Sequence, residues 1–206
     1  MQIYMRSGKL PRLVTRNLVL REIGQGDITS EYISWLNNPD VNRFLEIRFE
    51  KQTPERVAQY VQQHLDDIES FKHFGVYIPE SGRDLLVGTV TLTRINKWHE
   101  TSDISFVIGH PMGQRKGYGT ESVHAVCAYA FMVEKFHRLY AGHYRQNIAS
   151  QSVLLKNNFK QEGVLREYCL SDGKRTDCIT YGLLNREYRL NPALLGDQGE
   201  VTIIEE

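Results

Sequence analysis

The run Gly109-His-Pro-Met-Gly-Gln114-Arg115-Lys116-Gly117-Tyr118-Gly119-Thr120 joins a β-type segment, Ser102 to Gly109, directly to a helical stripe of Val123, Val126, Cys127, Ala130 and Phe131. A strand, a glycine-bearing loop and a helix start in that order aim unpaired backbone N–H groups and the positive end of a helix dipole at one point. Such a point suits a phosphate. Gly117 and Gly119 let the backbone approach an anion without Cβ obstruction, and Arg115 and Lys116 add cationic side chains at its edge. Neither G-x-x-x-x-G-K-[ST] nor G-x-G-x-x-G is present, so ATP and NAD are disfavoured. Two glycines can also make a plain turn, and the strand-to-helix context is what favours the anion site.

Outward from this loop the periodicity reads as one α/β domain. Leu18–Glu22 is a first strand. Asp27 caps a helix reaching Trp35-Leu36, and Thr53 with Pro54 opens a second helix through Val57, Val61, His64 and Ile68. Phe74–Ile78, Leu85–Thr93 and Ser102–Gly109 form an antiparallel meander. After the loop helix come a strand from Arg138 to Tyr144, a helix from Ser150 to Asn157, and a hairpin of Val164–Leu170 and Thr176–Leu184 turning at Ser171-Asp172-Gly173. The predicted order is β-α-α-β-β-β-α-β-α-β-β, a mixed, largely antiparallel central sheet flanked by helices. Residues 1–188 make a single domain, and residues 189–206 a loosely held C-terminal tail.

Composition narrows the function. Across 206 residues, 25 Lys+Arg balance 25 Asp+Glu, so no whole-chain field gathers nucleic acid or an anionic membrane. No stretch approaches the roughly 18 apolar residues a membrane helix needs, and the opening residues lack a signal-peptide core; the expected location is the cytoplasm. Cys127, Cys169 and Cys178 show no CxxC spacing and read as reduced thiols in the packing. Seven histidines lack ligand spacing, so no metal site is expected, and His137 and His143 read as structural.

Gln114-x-x-Gly117-x-Gly119 resembles the Q/R-x-x-G-x-G/A signature of the GCN5-related N-acetyltransferases, whose loop holds the pyrophosphate of acetyl-coenzyme A. Val14-Thr-Arg-Asn-Leu-Val-Leu-Arg21 is similar to the first strand of the branch acting on ribosomal-protein amino termini and small amines. The stretch from Asn147 through Ser150 and Lys156 to Phe159 resembles that branch's N-x-x-S…K-x-G-F element, with Asn158 where Gly is usual, and Glu162-Gly163 with the hairpin matches its closing strands. The resemblance spans roughly residues 13–188. It implies an acyl-CoA N-acetyltransferase domain, with acetyl-CoA as co-substrate, direct attack by a neutral amine and no metal.

It also implies roles. Backbone groups of Val107, Ile108 and Gly109 would hold the pantetheine arm and thioester oxygen; Gln114, Arg115, Lys116, Gly117, Tyr118, Gly119 and Thr120 the pyrophosphate; and Asn147 the pantetheine amide. Asp103 is the first candidate for the base, directly or through water, and is equally readable as an ordinary strand carboxylate. Glu167 and Glu100 are lesser candidates, Cys169 standing where the branch carries a Glu. Leu154 occupies the place of the usual Tyr acid, so Ser150 is assigned as thiolate donor; its other reading is a helix cap. Trp35, Asn38 and Arg48 fall in the acceptor-side wall and Trp98 in the loop before the central strand, although Trp35 also fits a core stripe. The expected acceptor is the primary amine of a small molecule such as an amino sugar. The alternatives are a protein amino terminus, a non-catalytic acetyl-CoA-binding module and a nucleotide-binding regulator. No nucleic-acid or membrane partner is expected, and the closing hairpin suits a homodimer.

Overall fold

A computed structural model describes residues 10–191, residue 194 and residues 202–204. The elements are β1 (Arg12–Val14), β2 (Val19–Glu22), α1 (Ser30–Leu36), α2 (Pro39–Asn42), α3 (Pro54–Asp66), β3 (Lys72–Ile78), β4 (Leu85–Asn96), β5 (Thr101–Ile108), α4 (Tyr118–Met132), β6 (Arg138–Tyr144), α5 (Ile148–Lys156), β7 (Lys160–Ser171), β8 (Lys174–Leu184) and β9 (Thr202–Ile204). The strands join in one sheet of order β7-β8-β6-β5-β4-β3-β2-β1-β9. Every pairing is antiparallel except β5 with β6.

The mixed, largely antiparallel architecture agrees with the sequence reading, and three local expectations are corrected. Arg12–Val14 is already a strand, pairing with β2. Thr29, not Asp27, caps α1, its side chain accepting from the Tyr32 N–H at 3.1 Å. Asp27 is committed elsewhere: it accepts from the Gly24 N–H at 2.9 Å and takes both ends of the Arg21 guanidinium at 2.7 and 2.9 Å. The tail expected to be loose returns at Thr202–Ile204 to pair with β1; the remaining residues after Asn191, Leu194 apart, lie outside the described residues. At the hairpin, Asp172 and Gly173 have φ of 49° and 73° between the paired Ser171 and Lys174, the two-residue turn with positive φ at both positions that suits strand twist.

Two apolar layers sandwich the sheet. On one face, Ile23, Tyr32, Trp35, Leu36, Val57 and Val61 pack beneath α1 and α3. The other face is covered by α4, buried from Thr120 through Phe131 rather than along one stripe. Its outer side is closed by Tyr188, whose hydroxyl lies 3.2 Å from His124 Nε2, and by the turn before β2. In that turn Thr15 Oγ1, the Asn17 N–H and Asn17 Nδ2 donate to the Glu121 carboxylate at 2.7, 2.7 and 2.9 Å. A buried carboxylate is tolerated where charge-assisted donors replace water.

A second buried polar contact predicts a pH response. His64 of α3 and His73 of β3 meet Nδ1 to Nδ1 at 3.1 Å. Burial holds their pKa values down to about 4 and about 3 from the ordinary 6.5. The unfolded chain therefore binds more protons than the folded one between about pH 6.5 and 4, so stability falls as pH drops through that window. The thermal midpoint should decline there, and His73→Phe should flatten the slope; an unchanged slope would contradict the assignment.

Candidate functional site

The parallel ladder between β5 and β6 is only three pairs long: Thr101 with Arg138, Ser102 with Leu139 and Asp103 with Tyr140. Past Asp103 the strands part. The Gly109 N–H donates to Val87 O of β4 at 3.0 Å, whereas Glu100 O accepts on the β6 side from His137 and Arg138. Alternation along the strand then turns the N–H groups of Phe106 and Ile108 toward the gap, where no strand receives them. Into the gap opens a cleft of about 870 Å³, with Asp103, Val107, Tyr144, Asn147 and Ser150 among its walls.

The glycine loop lies at the end of β5. Gly117 is the N-cap of α4 at φ 83° and offers no side-chain cap. Its carbonyl accepts from the Thr120 and Glu121 N–H groups, leaving those of Tyr118 and Gly119 without a partner inside the helix. A Cβ on Gly119 would sit 3.4 Å from Val153 Cγ2, so this glycine sets the approach of α4 to α5. Arg115 and Lys116 are exposed and carry no ion pair among the described residues. The donor set fits a diphosphate: free main-chain N–H groups at a helix start, no Cβ at the left-handed N-cap Gly117, and two unpaired cations.

Inside the cleft, Asp103 faces Arg94, which sits at φ 49° in the bulge of β4, and the two form an ion pair. Burial raises the Asp103 carboxyl above its usual range although Arg94 pulls it down. Opposite, the Tyr144 hydroxyl donates to Glu46 Oε1 at 2.5 Å and accepts from Arg48 Nη2 at 2.9 Å. Arg48 also donates to Leu170 O of β7, so the segment after α2 is strapped across to β6 and β7. Burial first, then Glu46, pushes Tyr144 up to about 12, leaving it a phenol at neutral pH.

A sequence model of the family described as the acetyltransferase (GNAT) domain matches residues 17–160. The chain belongs to the GNAT acetyltransferases. YoaA, an uncharacterized N-acetyltransferase of Bacillus subtilis (strain 168), is 26% identical over 174 residues, covering 84% of this chain and 97% of that protein. The crystal structure of Vibrio cholerae spermidine N-acetyltransferase in complex with CoA and spermine superposes with a TM-score of 0.73 at 22% identity, over 84% of this chain and 98% of that one. The ribosomal-protein-S5-alanine acetyltransferase from Vibrio fischeri gives 0.73 at 18%, over 86% and 98%. The protein is thus an acetyl-CoA-dependent N-acetyltransferase, the fold matching GNAT structures and the sequence matching N-acetyltransferases.

On this GNAT frame the residues singled out from sequence fall into groups. Asp103, Val107, Asn147 and Ser150 share the cleft, and Gln114 to Thr120 lie past the end of β5, outside its walls. The Gly109 N–H is spent on Val87, and its carbonyl is 3.4 Å from Gln114 Nε2, so it is not a free donor; Phe106, not singled out from sequence, takes that place. Asn147 Oδ1 accepts from the Ser150 N–H at 3.1 Å, which makes Asn147 the cap of α5 and removes the cap reading of Ser150. Trp35 is core: it lies under Gly109, where an added Cβ would meet its ring at 1.8 Å. Arg48 stands behind Tyr144 rather than on the wall. Glu167, at φ 54° in the bulge of β7, points away from the cleft lining, where Tyr168 and Cys169 stand instead. Trp98 is 94% exposed beyond the far end of β5. Glu46 and Tyr144 were missed, because nothing local marks residues that meet only through the fold. Among the described residues no cluster of three or more His, Cys, Asp or Glu is arranged to hold a metal, and no helix is long and apolar enough to cross a membrane.

Proposed function

We propose that this GNAT enzyme carries the acetyl group of acetyl-CoA to the primary amine of a small molecule, such as an amino sugar, by direct attack. The observation that carries the reading is the gap beyond Asp103, which sets a half-buried carboxylate, main-chain donors and the Ser150 hydroxyl around one cleft beside the glycine loop. The loop from Gln114 to Thr120 binds the diphosphate. Asn147 holds the pantetheine amide through its Nδ2, its Oδ1 being engaged in the cap.

The Phe106 N–H faces the carbonyl oxygen that gains charge as the amine adds, and the Ile108 N–H, about 7 Å further along the strand, is left for the pantetheine arm. Asp103, its carboxyl lifted by burial, takes the ammonium proton through a water, since an ammonium is no nucleophile. Arg94 keeps the carboxylate aimed at the cleft. Ser150 donates to the departing thiolate. The single-domain division, residues 1–188 with the tail 189–206, belongs to the same reading.

The test is thiol release from acetyl-CoA against amino sugars, diamines and peptides with free amino termini. Turnover of small amines is expected, with Asp103→Asn lowering kcat about 100-fold, within the range for a positioned proton acceptor. Acetylated peptide without any small-amine turnover would replace this acceptor class by a protein amino terminus. CoA binding with no turnover of either class would mean a binding module.

A further inference from the structure

The mechanism leaves two thiols unused. Cys169 of β7 and Cys178 of β8 are both free, and both line the acceptor cleft. Their placement follows from the hairpin register: Leu165 opposes Cys178, Cys169 opposes Thr176, and three residues, Arg166, Glu167 and Tyr168, bulge out opposite Asp177 alone. Thr176 and Cys178 share a face of β8, so Cys169 and Cys178 are diagonal neighbours on the cleft side. The bulge supplies the backbone play that a cross-strand bridge needs. Cys127, the remaining cysteine of the chain, is fully buried within α4 and out of reach.

We propose that Cys169 and Cys178 form a modification site, a dithiol in the acceptor wall that closes to an intramolecular disulfide by exchange with a low-molecular-weight disulfide. One cysteine thiolate attacks a sulfur of the small disulfide and expels one small thiol; the second cysteine thiolate then attacks the mixed disulfide and expels the other. The protein loses two protons and two electrons, and the small disulfide is reduced to two thiols. Burial, then the Cys178 thiol, pushes Cys169 up to about 11, so the first attack is slow near neutrality and quickens with pH. Glu46 also faces Cys169 and raises it further, while the Tyr144 hydroxyl, hydrogen-bonded to the thiol, pulls it down by less than burial pushes it up. Closing the pair fixes Tyr168 and Cys169 against β8 and reshapes the wall an acceptor touches, without reaching the glycine loop.

Oxidised glutathione at pH 8.5, with the intact protein read by mass spectrometry under denaturing, alkylating conditions, tests the site independently of the acetyltransferase reading. The expected result is a loss of two hydrogens, a Cys169–Cys178 cross-linked peptide and full reversal by dithiothreitol. Cys169→Ser and Cys178→Ser should each stop at a glutathione adduct or stay unmodified. On an amine that turns over, the oxidised protein should show KM for the amine raised roughly threefold or more, with the Kd for CoA unchanged, each variant being compared with its own reduced form. A disulfide-linked dimer, a bridge to Cys127 or no two-hydrogen loss would overturn the site. A bridge that leaves KM unaltered would overturn its effect on the acceptor wall.

Discussion

Gly117→Val is expected to cost about 100-fold in affinity for CoA, measured by calorimetry, while leaving the fold in place. Gly117 holds φ 83° at the start of α4 with open space around it, so a side chain clashes with nothing there. What the valine cannot do is keep that backbone. The left-handed region costs an L-residue about 1–2 kcal/mol, and more if β-branched, so the loop reorganises. With it go the Tyr118 and Gly119 donors proposed for the diphosphate, each charge-assisted contact being worth about 1.5–3 kcal/mol. About 3 kcal/mol in all corresponds to about 100-fold. Arg115→Ala and Lys116→Ala, which remove charge without moving the backbone, should cost less each and lose their effect at high salt. Undiminished affinity in Gly117→Val would remove the loop as the binding site and the proposed roles with it.

Glu121→Ala is expected to give the largest loss of stability, about 3 kcal/mol, because the buried Glu121 side chain leaves a void and its three hydrogen bonds go together, the buried Thr15 hydroxyl losing its acceptor while the two Asn17 donors turn to water. For a chain of this size the midpoint should fall by roughly 6–12 °C. Glu121→Gln keeps one acceptor oxygen and should recover part of the loss. The effect belongs to folding: Glu121 sits one turn into α4 but reaches back to Thr15 and Asn17, so the variant's CoA affinity, measured well below its midpoint, should stay within about threefold of the parent. A midpoint change below 2 °C would show that the turn before β2 satisfies its donors without the carboxylate.

Long periodic segments could be read directly from the chain. Arg138 to Tyr144 was bounded by sequence as it stands in the fold, and the Thr53 cap with Pro54 marked the start of α3. The glycine loop was legible because strand, loop and helix are contiguous and each has its own period. β1 and β9 escaped because three residues are too few to show an alternation; each is a strand only because the other elements offer it an edge. α4 was misread as amphipathic because its outer cover comes from Tyr188 and Thr15, far away in sequence. The cleft suffered most. Glu46 and Tyr144 touch across 98 positions, and Arg48 reaches Leu170 across 122, separations at which residue type alone carries no signal. Glu167 shows a local limit: in a regular strand it would share the face of Cys169, two residues on, but the bulge of β7 breaks that alternation.

The pairing of Thr202–Ile204 with β1 has a consequence for handling the protein. A three-residue strand at the margin of a sheet conceals little area, yet it takes the backbone groups that would otherwise invite another chain to add on. Shortening the gene after Tyr188 would leave the catalytic half untouched and bare that margin, so the shortened protein should self-associate as its concentration rises. Affinity tags and fusions therefore belong at the amino terminus.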